Sequence, residues 1–241
     1  MSKVKPYKDS DLGKKEQVTK MFDTISGEYD GLNRVISFGI DVKWRKKVVN
    51  IVKESSPNTI LDIATGTGDL AIALASTNAT NIIGLDISSG MLEIGKQKVT
   101  KKGLENRIEM VWGDSESMPF EDNTFDAITV AFGIRNFETL ENGLKEILRV
   151  LKPGGRFVIL ETSVPTKTPY KQGYGFYTKY ILPIIGRVFS KDKNAYRYLS
   201  ESASVFPHGE ALNNILRKIG FISVEDFPQT FGVATIYVSS K

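Results

Sequence analysis

Beyond residue 55 the apolar positions fall into two alternating rhythms. Short apolar runs at residues 59–64, 81–86, 107–112, 125–130 and 156–160 read as buried strands. Longer stretches with helical spacing lie between most of them. In the clearest, Leu140, Leu144, Ile147, Leu148 and Leu151 share one face, and Lys152-Pro153-Gly154-Gly155 then stops the helix. Strands alternating with helices predict a mostly parallel sheet covered on both faces. Residues 11–55 read as helical, with breaks near Gly27, Gly31 and Gly39. The rhythm lapses over 163–207, which is loop-like and aromatic-rich. It resumes with a helix over 210–219 and ends in two strand-like runs, 221–227 and 232–238.

Composition narrows the chemistry more than the fold. The 241 residues are 41% hydrophobic and 25% charged, an ordinary globular balance. The absence of cysteine removes disulfides, thiolate metal sites and cysteine nucleophiles. A single histidine, His208, rules out a multi-histidine metal centre, and its place just before a helix reads as an exposed turn. No metal is expected. The polar, Lys-rich start lacks a secretory apolar stretch, so a cytoplasmic location is expected. The net charge of +4 reads mainly as solvated helix faces.

The most informative stretch is Asp62-Ile63-Ala64-Thr65-Gly66-Thr67-Gly68-Asp69, where a predicted strand ends in a glycine loop and a helix starts near Asp69. The glycines let the backbone pass close to a ligand. Asp86 ends the next strand, twenty residues after Gly66, where a carboxylate can accept from both hydroxyls of a ribose. Gly66-x-Gly68-x-x-Ala71 also fits a dinucleotide fingerprint. Three acids favour a cationic cofactor instead. Asp62 suits a ligand carrying an amine and a sulfonium. Asp69 stands at a helix start, where it would repel a pyrophosphate. Asp114 follows the third strand, where it could accept from an adenine amino group. These features point to S-adenosylmethionine, with Asp62, Gly66, Gly68, Asp86 and Asp114 as candidate cofactor residues.

Three further stretches carry a family likeness: residues 29–37 continuing to Trp44, residues 149–163, and Phe132-Gly133-Ile134-Arg135-Asn136. On these the chain resembles the menaquinone/ubiquinone biosynthesis C-methyltransferases from about Val18 to its end. The resemblance implies an α/β fold of the Rossmann-like class I S-adenosylmethionine-dependent methyltransferases. Its seven-stranded sheet would be mostly parallel with an antiparallel last strand. Residues 1–55 would form an N-terminal helical cap, 56–162 the cofactor-binding core, 163–207 an insertion facing substrate or membrane, and 208–241 the closing helix and strands.

The resemblance also implies methyl transfer to a ring carbon of a lipid-soluble, polyprenylated quinol. Demethylmenaquinol is favoured, and a ubiquinone-precursor benzoquinol or another small acceptor stays open. Carried over by position, Thr67, Asp86, Asp114 and Ser115 would bind the cofactor, Arg135 and Asn136 would face the reacting ring, and Tyr29 would come from the capping helices. Because guanidinium stays protonated, Arg135 is expected to stabilise a developing phenolate rather than act as a base. The chain departs from the family at Leu32, where methionine is usual, at Asp41, where histidine is usual, and at Ala131, where some members have serine. Residues 176–189, aromatic and apolar with basic punctuation, are expected either to line the quinol pocket against a membrane face or to pack as a helical cap. Contact with the membrane periphery and a homodimer stay open. No nucleic-acid partner is expected, since no appended RNA-binding module is visible. An NAD-dependent oxidoreductase and a non-catalytic binding module are the alternatives from other classes.

Overall fold

Burial alternates along the central strand, and this decides how the sheet is covered. In a computed structural model, which describes residues 4–182 and 192–241, β1 (Thr59–Ile63) sends Leu61 and Ile63 to one face and Ile60 to the other, all fully buried. Its neighbours are β2 (Asn81–Asp86) and β4 (Phe125–Ala131), both parallel to it. With β3 (Ile108–Trp112), β5 (Leu151–Thr162), β6 (Ile222–Gln229) and β7 (Ala234–Ser240), they form one seven-stranded sheet of order β3-β2-β1-β4-β5-β7-β6. β7 runs antiparallel to both β5 and β6. The chain order reverses between β1 and β4, so the loops beyond their carboxyl ends diverge and leave a crevice.

Helices cover both faces. On one, α6 (Leu140–Val150) and α9 (Glu210–Ile219) pack Leu144, Ile147, Leu212 and Leu216 onto Leu61, Ile128 and Phe157. On the other, α3 (Asp41–Glu54), α4 (Asp69–Leu74) and α5 (Ser89–Lys101) pack Trp44, Val48, Val52, Leu70, Leu74 and Val99 onto Ile60, Ile82 and Val158. Part of the stretch read as a cap therefore belongs to the sheet. A third apolar cluster joins α1 (Lys14–Ile25) to Met91 of α5 and to Ala195 and Tyr198 of α8 (Lys193–Val205). It holds α1 over the carboxyl edge of the sheet.

Several local readings change. Gly31 lies inside α2 (Tyr29–Ile36) and breaks nothing, whereas Gly39 at φ +73° does separate α2 from α3. Lys152-Pro153-Gly154-Gly155 follows the last turn of α6 as expected, yet it already belongs to β5. The strand bulges there, and the Gly154 N–H reaches the Lys241 carbonyl. Residues 163–207 are not loop-like throughout. They form α7 (Tyr170–Phe176), a π-helical turn (Tyr177–Ile181) and α8. His208 is half-buried rather than exposed, its ring Nδ1 beside the Phe206 carbonyl.

Candidate active site

The crevice at the switch point is an open cleft lined by the ends of four strands. Ala64 and Gly66 follow β1, Asp86 ends β2, Asp114 and Ser115 follow β3, and Phe132 and Gly133 follow β4. Val18 and Phe22 of α1 close the cleft from above. The strand ends are strained: Ala64 and Phe132 sit at φ +49° and +58°. Gly133 lies so near that a Cβ there would come within 2.4 Å of the Ala64 Cβ. The loop needs glycine at that point for space rather than for torsion.

Asp86 is buried, and its carboxylate accepts the Gly66 N–H at 2.7 Å and the Ser88 N–H at 2.8 Å. Burial pushes it up to about 6, against these N–H groups, which favour the charge. Asp114 accepts from Lys15 of α1 at 2.6 Å, and this bond raises the Lys15 ammonium. Ser115 lines the cleft beside it. Asp62 and Thr67 do not line the cleft. They face a small adjoining recess with Asp30 and Asp69, and Ala64, Gly66, Tyr29 and Ala131 border both spaces. Asp62 accepts from the Thr65 and Thr129 hydroxyls, both at 2.6 Å. Gly68 touches neither space. At φ +79° it is the N-cap of α4, with Met110 packed beside it.

This donor set fits S-adenosylmethionine. Apolar side chains and Asp114 flank one end of the cleft, a buried carboxylate marks its middle, and an acid-rich recess adjoins Gly66 at the other end. Three carboxylates of the recess, Asp30, Asp62 and Asp69, can face a cationic amine, with Lys98 shared between Asp30 and Asp69 and Arg45 in the same wall.

A second pocket, of about 960 Å³, lies across a thin partition. It is mainly apolar and aromatic, lined from α2 and α3 by Ile36 and Trp44 and from the segment after β5 by Tyr174, Tyr177 and Leu182. Tyr29 and Phe132 line both pockets and form the partition. Arg135 and Asn136, adjacent on a 3-10 turn (Ile134–Asn136), diverge. Arg135 lines the apolar pocket and Asn136 lines the cleft. The Arg135 guanidinium donates through Nη1 to the Phe132 carbonyl at 2.6 Å and to Glu161 at 2.7 Å, while its Nε has no partner among the described residues. Asn136 accepts the Tyr198 hydroxyl at 3.1 Å. Burial raises the Tyr29 hydroxyl and keeps it protonated.

Sequence reasoning did not pair Glu161 with Arg135, Tyr198 with Asn136 or Lys15 with Asp114. These partners come from distant segments, and only the position of Glu161 at a strand end gave a signal.

The full-length comparisons agree with this geometry. A family model described as the ubiE/COQ5 methyltransferase family matches residues 10–241. A curated relative named "Demethylmenaquinone methyltransferase" from Bacteroides fragilis is 48% identical over 240 residues, covering 99% of this chain and 98% of its own. One named "Ubiquinone/menaquinone biosynthesis C-methyltransferase UbiE" from Geotalea daltonii is 46% identical, covering 95% and 97%. Among solved structures, the [4+2]-cyclase SpnF superposes with a TM-score of 0.65 at 20% identity, covering 94% of this chain and 96% of that one, a likeness of fold alone. Matched over nearly its whole length, the chain belongs to the ubiE/COQ5 methyltransferase family, whose members use S-adenosylmethionine.

Proposed function

We propose that this methyltransferase alkylates a ring carbon of a polyprenylated quinol, demethylmenaquinol giving menaquinol. One observation carries the reading. A cleft carrying Asp86 and Asp114, suited to a cationic cofactor, and an aromatic pocket suited to a prenylated ring meet at a partition of two side chains, Tyr29 and Phe132, with a buried guanidinium beside it.

Roles follow from placement. Asp86, Asp114, Ser115 and Gly66 would hold the nucleoside of the cofactor, and Asp62 and Thr67 would shape the acidic recess for its amino acid end. Gly68 would act only by starting α4. When bound, S-adenosylmethionine supplies an electrophilic methyl group. The protein's part is to align the acceptor carbon with it and to exclude water. Arg135 would stabilise the charge that develops on the ring oxygen, in a site where low polarity strengthens that interaction. Tyr29 would orient the ring at the partition. Asn136, held by Tyr198, would act from the cleft side.

Purified protein with methyl-labelled cofactor and chemically reduced demethylmenaquinone in detergent should yield labelled menaquinone, and none without reductant. The relatives' names also include ubiquinone, so a methoxy-benzoquinol is the parallel acceptor. Label in neither product, with cofactor binding intact, would overturn the substrate assignment.

A further inference from the structure

Asp41 is a buried carboxylate in the wall of the apolar pocket, and the only carboxylate lining it among the described residues. Its Oδ1 accepts the Ser37 hydroxyl at 2.7 Å, and its Oδ2 is paired with Arg45 one helical turn along α3. The Arg45 guanidinium lies 5.6 Å from the centre of the Phe132 ring. The carbonyl of the same Phe132 accepts from Arg135. Two buried ion pairs, Asp41–Arg45 and Arg135–Glu161, therefore flank Phe132 on different sides. The Tyr29 hydroxyl feels the positive charge of both arginines.

An ionised carboxylate only accepts hydrogen bonds, and it offers about four lone-pair sites. In Asp41, Ser37 and Arg45 occupy two of them. A guanidinium only donates. The pocket thus presents an acceptor-only group at Asp41 and guanidinium donors at Arg135 and at Arg45, which is held on Asp41, among walls that also carry Tyr, Ser, Thr and Asn side chains. A para-hydroquinone carries two hydroxyls at opposite ends of its ring. Each can donate to a carboxylate, and each can accept from a guanidinium as charge builds on its oxygen. The oxidised quinone carries two carbonyls, which only accept, and a carbonyl facing a carboxylate is repelled.

We infer that Asp41 is a specificity residue that selects the reduced form of the ring, accepting a hydrogen bond from the hydroxyl remote from Arg135. The inference rests on the quinol reading above.

The test reads binding, so that loss of turnover does not confuse it. Trp44 lines the pocket and reports occupancy by its fluorescence. In the full-length protein with S-adenosylhomocysteine, Kd would be measured for a short-prenyl demethylmenaquinone, reduced and oxidised, in wild type and in Asp41→Asn. A hydrogen bond to a charged group corresponds to a factor on the order of 10- to 100-fold. Wild type should prefer the quinol by about that factor. In Asp41→Asn, whose amide also donates, the preference should fall towards unity, with weaker quinol and tighter quinone binding. A merely structural role for Asp41 would weaken both forms alike and leave the ratio unchanged, and that result overturns the inference.

Should the variant fail to fold, wild type alone decides. A prenylated naphthol lacking the remote hydroxyl should bind at least about tenfold more weakly than the quinol, and equal binding overturns the inference. Methyl transfer to the quinol with an unchanged redox ratio removes only the role of Asp41. Neither turnover nor binding of any quinol removes the substrate reading and this inference together.

Discussion

The Arg135 and Glu161 side chains are both buried, yet Nε of one and Oε2 of the other have no partner among the described residues. Buried polar atoms left open in this way are positioned for a ligand or for water. Arg135→Ala should lower kcat by about 10²–10³-fold, the usual loss when one preorganised donor is removed. Binding of S-adenosylhomocysteine should change little, because Arg135 faces the other pocket. A comparable loss of cofactor affinity, read by calorimetry, would place Arg135 in the cofactor site instead. Asp86 carries a pH signature. Its carboxyl is raised from 3.8 to about 6 by burial. The neutral form is thus favoured in the folded chain. The stability this gives is present below about 3.8 and is lost as pH rises through about 6. Ribose hydroxyls donate better to the charged form, so affinity for S-adenosylhomocysteine should rise from pH 5 to 7 and then level off. In Asp86→Asn that rise should flatten, and an equal rise in both proteins would assign the titration elsewhere. At this scale the sequence exposed Gly66, Asp86, Asp114 and Ser115, which lie in local motifs. It did not separate Arg135 from Asn136, because neighbours on a 3-10 turn point in different directions.

Among the elements, α1 bears most directly on the cofactor. Lys15 pairs with Asp114, and Lys14 donates to the carbonyls of Arg135 and Phe137. The Asp23 carboxylate accepts from Ser88 and Gly90 at the positive end of α5. α1 is thereby fastened to three of the loops that build the cleft. S-adenosylhomocysteine at saturation should slow tryptic cleavage after Lys14 and Lys15 severalfold, since binding stabilises the closed form by mass action. Cleavage at an unchanged rate would show that α1 does not respond to the cofactor. The central strands and helices were legible because each buries a periodic apolar face. The segment after β5 was not. α7 and the π-helical turn bury no residue completely, so no apolar stripe marks them as helical.

For the whole molecule, the open question is how a bilayer-resident ring reaches the apolar pocket. No helix among the described residues is long and apolar enough to cross a membrane. Phe38, Phe176, Tyr180 and Ile181 are exposed, Phe38 touches Tyr177 of the pocket wall, and residues 163–191 contain basic residues and no acid. We propose that this surface rests on anionic lipid, which such a composition would suit. Of residues 176–189, only Phe176–Leu182 bear on the proposal, since the remainder lies outside the described residues. Phe176→Asp with Tyr180→Asp should reduce sedimentation with phosphatidylglycerol vesicles several-fold while leaving turnover of a short-chain quinol in detergent unchanged. Equal sedimentation of variant and wild type would remove the membrane contact.

The partition of Tyr29 and Phe132 has a consequence for the order of events. Two compartments divided by a wall can be filled independently of one another, so neither ligand has to wait for the other to leave. Initial-rate kinetics should then show a random sequential pattern. S-adenosylhomocysteine would compete with S-adenosylmethionine and leave the apparent affinity for the quinol nearly untouched. A strictly ordered pattern would mean that the wall itself is built only when the first ligand arrives.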